Sequence, residues 1–151
     1  VSGNHELTLE SPEKGRYASM LSRCTYVYDQ SMVIDGVKFY FSPWTPYFFG
    51  WAFNYFPDRA EMIWDQIPED VDVLVTHGPP KGILDLCESG NVGCPTLLSY
   101  VKNIKPKIHA FGHIHEGYGM VEEDDITFIN ASLLDGDYKP VNKPIVIEIG
   151  N

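Results

Sequence analysis

Basic residues are scarce in this chain: 11 Lys and Arg stand against 21 Asp and Glu, a net charge of −10 over 151 residues. That balance argues against a surface that grips extended nucleic acid, which needs Lys and Arg to neutralise phosphates. Long apolar runs are missing as well. No stretch approaches the roughly 18 residues needed to cross a bilayer, so no membrane span is expected. Cysteine is sparse, and Cys24, Cys87 and Cys94 make an odd count with no CxxC pair. Free thiols in a reducing cytoplasm are the favoured reading, over a Cys87–Cys94 bridge. Internal repeats, low-complexity tracts and a Pro/Ser-rich linker are also absent, so residues 1–151 read as a single domain. The opening residues Val1-Ser2-Gly3-Asn4-His5-Glu6 are neither a basic nor an apolar leader, and no targeting segment is read from them.

What is present is ordinary globular composition, 44% hydrophobic and 21% charged, with enough length for a packed core. Thr25–Asp29 and Met32–Ile34 are β-prone runs, and Asp35-Gly36 offers a tight turn into Val37–Ser42. Residues 42–56 are rich in Pro and aromatics and read as an ordered irregular loop. Asp58–Gln66 has helical composition with Asp58 as candidate N-cap. Val71–Thr76 is an apolar strand, and Pro95–Asn103 a helix with Pro in its first turn. Further strands are expected at Ile108–Phe111, Tyr118–Glu122, Ile126–Asn130 and Ile145–Ile149. Strands alternating with helices, flanked by β-rich ends, predict an α/β sandwich.

Histidine numbers only 5, yet four of the five stand beside glycine-containing turns. His5 follows Gly3-Asn4, His77 precedes Gly78, and His113 and His115 follow Gly112. In α/β sheets ligands collect beyond the carboxyl ends of strands, and glycine lets the backbone turn sharply there. Neutral imidazole suits Zn, Fe and Mn, and an amide oxygen suits the harder of these ions. Asn4, His77, His113 and His115 therefore form a candidate metal-ligand cluster. His109 lies inside a strand and reads as a structural histidine. Glu122–Asp125 reads as a solvated turn, and spacing assigns no role to Asp85, Glu88 or Asp135.

Gly3-Asn4-His5-Glu6, Thr76-His77-Gly78 and Gly112-His113-Ile114-His115 resemble the last three motifs of calcineurin-like metallophosphoesterases. The likeness runs through Ser42-Pro43-Trp44-Thr45-Pro46, Trp51-Ala52-Phe53-Asn54, His77-Gly78-Pro79-Pro80, Glu116-Gly117-Tyr118-Gly119 and Ile129-Asn130-Ala131-Ser132. This longer set resembles the metallophosphoesterase-domain-containing subgroup and spans nearly the whole chain. The resemblance implies a C-terminal portion of a four-layer αββα sandwich with two divalent metal ions (Mn, Fe, Zn or Ni) between its sheets. It implies Asn4, His77 and His113 as ligands to one ion, His115 as a ligand to the other, and His5 as the catalytic histidine that contacts phosphate. Glu6 is expected to orient or support that turn. The implied reaction is hydrolysis of a phosphodiester, a cyclic nucleotide or small diester, by a hydroxide that the two ions activate. An acidic chain is compatible with a small phosphorylated substrate because bound cations reverse the local potential. The aromatics of residues 44–56 and Tyr118 are candidate stacking surfaces for a base, with core packing as the alternative.

The family's earlier Asp-x-His and Gly-Asp motifs have no counterpart here: no Asp-x-His occurs, and Gly136-Asp137 lies at the wrong end. The ligands they supply are expected from an upstream segment or an N-terminal fragment; otherwise the chain is a degenerate, non-catalytic module that binds a nucleotide or partner. A third reading, an amidohydrolase-type site built on HxH, expects that motif after an early strand, and here it comes late.

Overall fold

Chain geometry follows from a few local choices. The computed structural model describes residues 1–11 and 14–149. After the Gly3–Glu6 turn come two short helices, α1 (Leu7–Glu10) and α2 (Lys14–Ser19). Thr25–Asp29, expected as a strand, is irregular. Asp29 adopts φ +43°, and its carboxylate accepts from Ser42 Oγ at 2.8 Å and Trp44 Nε1 at 2.7 Å. Those bonds turn the chain out of the sheet, and the ladder starts only at Gln30. Strands β1 (Gln30–Ile34) and β2 (Val37–Ser42) form an antiparallel hairpin closed by Asp35 and Gly36. Both turn residues have positive φ, +50° and +84°, as a two-residue primed turn requires.

The 42–56 loop is ordered, and it also contains a small parallel pair, β3 (Thr45–Pro46) with β4 (Asn54–Tyr55). The expected helix begins as a 3-10 turn over Pro57–Arg59 and continues as α3 (Ala60–Trp64). Asp58 lies in its first turn and does not cap it; Pro57 at the first position displaces the N-cap to Phe56. Next come β5 (Val73–Thr76), a small hairpin of β6 (Leu86–Cys87) and β7 (Gly90–Asn91), and α4 (Pro95–Ile104). Cys94 caps α4, its Sγ accepting from the Leu97 amide. β8 (Ile108–Phe111), β9 (Gly119–Glu123) and β10 (Ile126–Asn130) complete the order.

The main sheet runs β1-β2-β5-β8-β10-β9. Its four inner strands are mutually parallel and both edge strands antiparallel. One face carries Tyr40, Leu74, Phe111, Ile126 and Phe128 against Ile63 and Trp64 of α3 and Leu97 and Val101 of α4. The opposite face carries Val73, Ile108 and Ile129, partly covered by Ile145, Ile147 and Ile149. That last segment has the alternation expected of a strand, but it joins no ladder among the described residues. The described residues thus form one α layer on one β layer, half of the expected sandwich. No helix among them is long and apolar enough to cross a membrane.

Candidate functional site

Parallel strands β5, β8 and β10 end side by side, and the loops that leave them are bonded to one another. The His77 amide donates to Ser42 O at 3.0 Å, and the Gly112 amide donates to His77 O at 3.0 Å. This stitching brings the His77 and His113 rings to a centroid distance of 4.8 Å. The Gly3–Glu6 turn reaches the same place because Ala52 N donates to Asn4 O at 3.0 Å. The Glu6 carboxylate accepts from the Gly3 amide, the supporting part expected of it. His77 Nε2 then donates to Asn4 Oδ1 at 2.7 Å. A Cβ on Gly3 would lie 2.5 Å from His77 Cε1, so only glycine lets the turn approach so closely.

His115 is oriented from outside the cluster. Its Nδ1 lies 3.0 Å from Asp135 O. A carbonyl only accepts, so Nδ1 carries the proton and Nε2 keeps a free lone pair. Such outer contacts set the tautomer of metal-binding histidines. His113 adopts φ +70°, a region that costs a non-glycine residue about 1–2 kcal/mol. His5 packs its ring 5.1 Å from that of Trp51 and lines the same cavity as His77.

Burial sets the charge state. Desolvation, then the charges of His113, His5 and His115, push His77 down to about 3. Desolvation, then His115 and His5, lower His113 to about 4. Both rings are neutral at ordinary pH, the form that binds cations. Asn4 is buried, and its Nδ2 has no partner among the described residues.

These groups fit a divalent cation in part. Asn4 Oδ1 and His77 Nε2 face one another at a separation close to the roughly 3 Å between neighbouring ligands at metal–ligand bonds of about 2.1 Å. Neutral imidazole with an amide oxygen is a suitable donor set. Two cations are not fitted. No group of three or more His, Cys, Asp or Glu that could hold a metal occurs among the described residues.

Two cavities flank the pair. One, of about 530 Å³, is lined by Ser2, Asn4, His5, Glu6, Thr76 and His77 among others. The other, about 320 Å³ and more apolar, is lined by Tyr47, Phe48, Pro79, Val92, His113 and Ile114 among others.

A scan against family models finds no match. Metallophosphoesterase domain-containing protein 1 of Homo sapiens is 39% identical to this chain over 99% of its length. Over nearly its whole length the chain is similar to metallophosphoesterase-domain-containing proteins. The Mus musculus protein of the same name is equally similar, and a UPF0046 protein of Caenorhabditis elegans is 36% identical over 99% of the chain. This chain spans about half the length of these relatives, 54% of the human protein and 56% of the nematode one. One solved structure superimposes with a TM-score of 0.64 at 16% identity, over 87% of this chain and 56% of its own. At that identity the likeness shows the fold alone.

Some buried polar residues to which the sequence assigned no role organise the loops. Asn130 is fully buried; its Nδ2 donates to Ile114 O at 2.7 Å and Leu84 O at 3.1 Å, and its Oδ1 accepts from Ser132 N at 3.1 Å. It ties the His113–His115 segment to β10 and to the loop after β5. Asp85, also fully buried, accepts from Gly82 N, Gly93 N and Asn91 Nδ2 and shapes the 80–94 loop. The advance signal for Asp85 was an acidic residue in an apolar neighbourhood; Asn130 lay in the Ile129–Ser132 segment that carried the resemblance, with no role attached to it. Of the candidate stacking residues, Phe53 is buried and Trp44 packs against the core, while Tyr47 and Phe48 line the smaller cavity. Tyr118 donates to Lys143 O at 2.7 Å and anchors the tail.

Proposed function

We propose that this chain contributes the histidine-rich half of a metal-dependent phosphodiesterase site. What supports this most is the meeting of Asn4, His77 and His113 at adjoining strand ends, in a chain with metallophosphoesterase-domain relatives. Asn4, His77 and His113 would hold one divalent cation. His115, with Nε2 free, would face a second, whose carboxylate ligands lie in an upstream segment or N-terminal fragment. Bound there, divalent cations supply Lewis-acid polarisation of a phosphoryl oxygen and acidify water. His5 contacts the phosphate and delivers a proton to the leaving oxygen. His77 and His113 are neutral by desolvation; a cation taken between His77 Nε2 and Asn4 Oδ1 would replace the hydrogen bond that joins them, with the ring proton of His77 moving to Nδ1. Tyr47 and Phe48 in the smaller cavity receive the aryl or nucleotide portion of a small diester. The three free thiols accord with a cytoplasmic setting.

The test is hydrolysis of bis(p-nitrophenyl) phosphate with added Mn²⁺ by the complete protein and its His113→Ala variant. Loss of Mn²⁺-dependent turnover in the variant is expected; unchanged turnover removes His113 from the mechanism. That no group of three or more His, Cys, Asp or Glu able to hold a metal occurs among the described residues favours a second reading, a non-catalytic nucleotide- or partner-binding module of the same fold. Metal content separates the two: two ions per complete molecule for the enzyme, one or none for the module.

A further inference from the structure

His109 has no part in the reading above, yet it is the one histidine enclosed entirely by protein. It sits on β8 in the register that faces the helices, with its ring 5.0 Å from Phe111 and 5.8 Å from Phe128. Its Nε2 lies 2.9 Å from Thr76 Oγ1, and that hydroxyl donates to Gly78 O at 2.7 Å. A threonine hydroxyl has one proton. Because the carbonyl of Gly78 can only accept, that proton is committed to it, and the proton in the other bond must come from His109. His109 is therefore the Nε2–H tautomer, which leaves Nδ1 as a bare acceptor. Nδ1 is indeed buried without a partner among the described residues.

We propose that His109 is a positioning residue for the site: by donating to Thr76 it holds Thr76's proton on Gly78 O and so fixes the Gly78–Pro79 peptide, one residue beyond His77. The inference rests on the reading of His77 as a ligand. An apolar residue would fill this core position without stranding a buried nitrogen, and such strandings call for an explanation. The relay to Gly78 supplies it. Burial also keeps the imidazole neutral, lowering His109 to about 3, so the relay holds one proton arrangement at ordinary pH. Gly78 is confined from its other side, where a Cβ would lie 2.9 Å from Thr45 Cγ2. His109 also precedes His113 on the same chain segment. One strand thus bears the His113–His115 loop and steadies the His77 loop, making the two a unit.

The first test is the side-chain ¹H–¹⁵N NMR spectrum of the protein without added metal. His109 is expected as a pure Nε2–H tautomer; an Nδ1–H tautomer overturns the proposal. The second is amide hydrogen exchange at Gly112, which donates to His77 O. In His109→Phe its protection should fall about five-fold, the equivalent of one net hydrogen bond, with global stability held. His109→Gln, whose amide N–H can donate to Thr76, should restore it. Should His109→Phe not fold, Thr76→Val is expected to give the same local loss. Unchanged protection at Gly112, or loss spread evenly over the sheet, refutes the positioning role. None of these readouts uses turnover or bound metal, so an inactive protein leaves the inference intact, and its failure leaves the phosphodiesterase reading intact.

Discussion

A single hydrogen atom on Gly3 separates a working contact from a clash. The imidazole of His77 fills the space that any Cβ there would occupy. Gly3→Ala is expected to push the ring away from Asn4, destabilise the fold by about 1–3 kcal/mol, and shift the His77 side-chain resonances. An unshifted spectrum would mean the turn absorbs the methyl. Asn130 is the counterpart on the other loop. Asn130→Leu keeps the branched skeleton, with larger methyl groups, but strands the carbonyls of Ile114 and Leu84, and should cost about 2–4 kcal/mol in urea unfolding. A loss below about 0.5 kcal/mol would show that other donors replace it.

Elements differ in how openly their sequences announce them. The β1–β2 hairpin was legible because Asp-Gly accepts positive φ at both positions and the flanking residues are β-formers. Gly36→Ala, at φ +84°, should lower stability by about 1 kcal/mol, seen as a drop in Tm. β8 and β10 were legible as apolar runs. Thr25–Asp29 was not, because the side-chain bonds from Ser42 and Trp44 to Asp29 outweigh β-propensity, and composition carries no sign of partners many residues away. Ile145–Ile149 shows the complementary limit. Its alternation correctly indicates which side chains meet the sheet, but alternation says nothing about whether a strand edge is available to pair.

For the whole molecule, one buried histidine, His109, and two half-buried ones, His77 and His113, couple stability to pH. The unfolded chain takes up a proton at each near 6.5, whereas the folded protein resists until about 3 for His77 and His109 and about 4 for His113. Their contribution is complete above pH 6.5 and is lost as pH falls through that window. Each adds up to about 1.4 kcal/mol per pH unit to the decline. Urea midpoints measured with a chelator present should therefore fall from pH 7 to pH 4, and the decline should be shallower in His109→Phe. A flat profile would contradict the burial of these rings. Thiol accessibility gives a separate check: Cys24 is exposed and Cys94 buried, so a thiol reagent should label Cys24 quickly and Cys94 only after denaturant is added.

By itself the sequence determined the α/β class, most of the inner strands and the residue types of the candidate site. It did so because apolar runs, Asp-Gly and Gly-His turns and strand-end histidines are local patterns that chain chemistry writes directly. Tertiary structure alone decided which polar groups converge. The Asn4–His77 contact joins residues 73 positions apart, His109 reaches Thr76 across two strands, and Asn130 holds Ile114 and Leu84. Such bonds depend on strand order and register, which are set by how the two apolar faces of the sheet are covered rather than by any neighbouring residue.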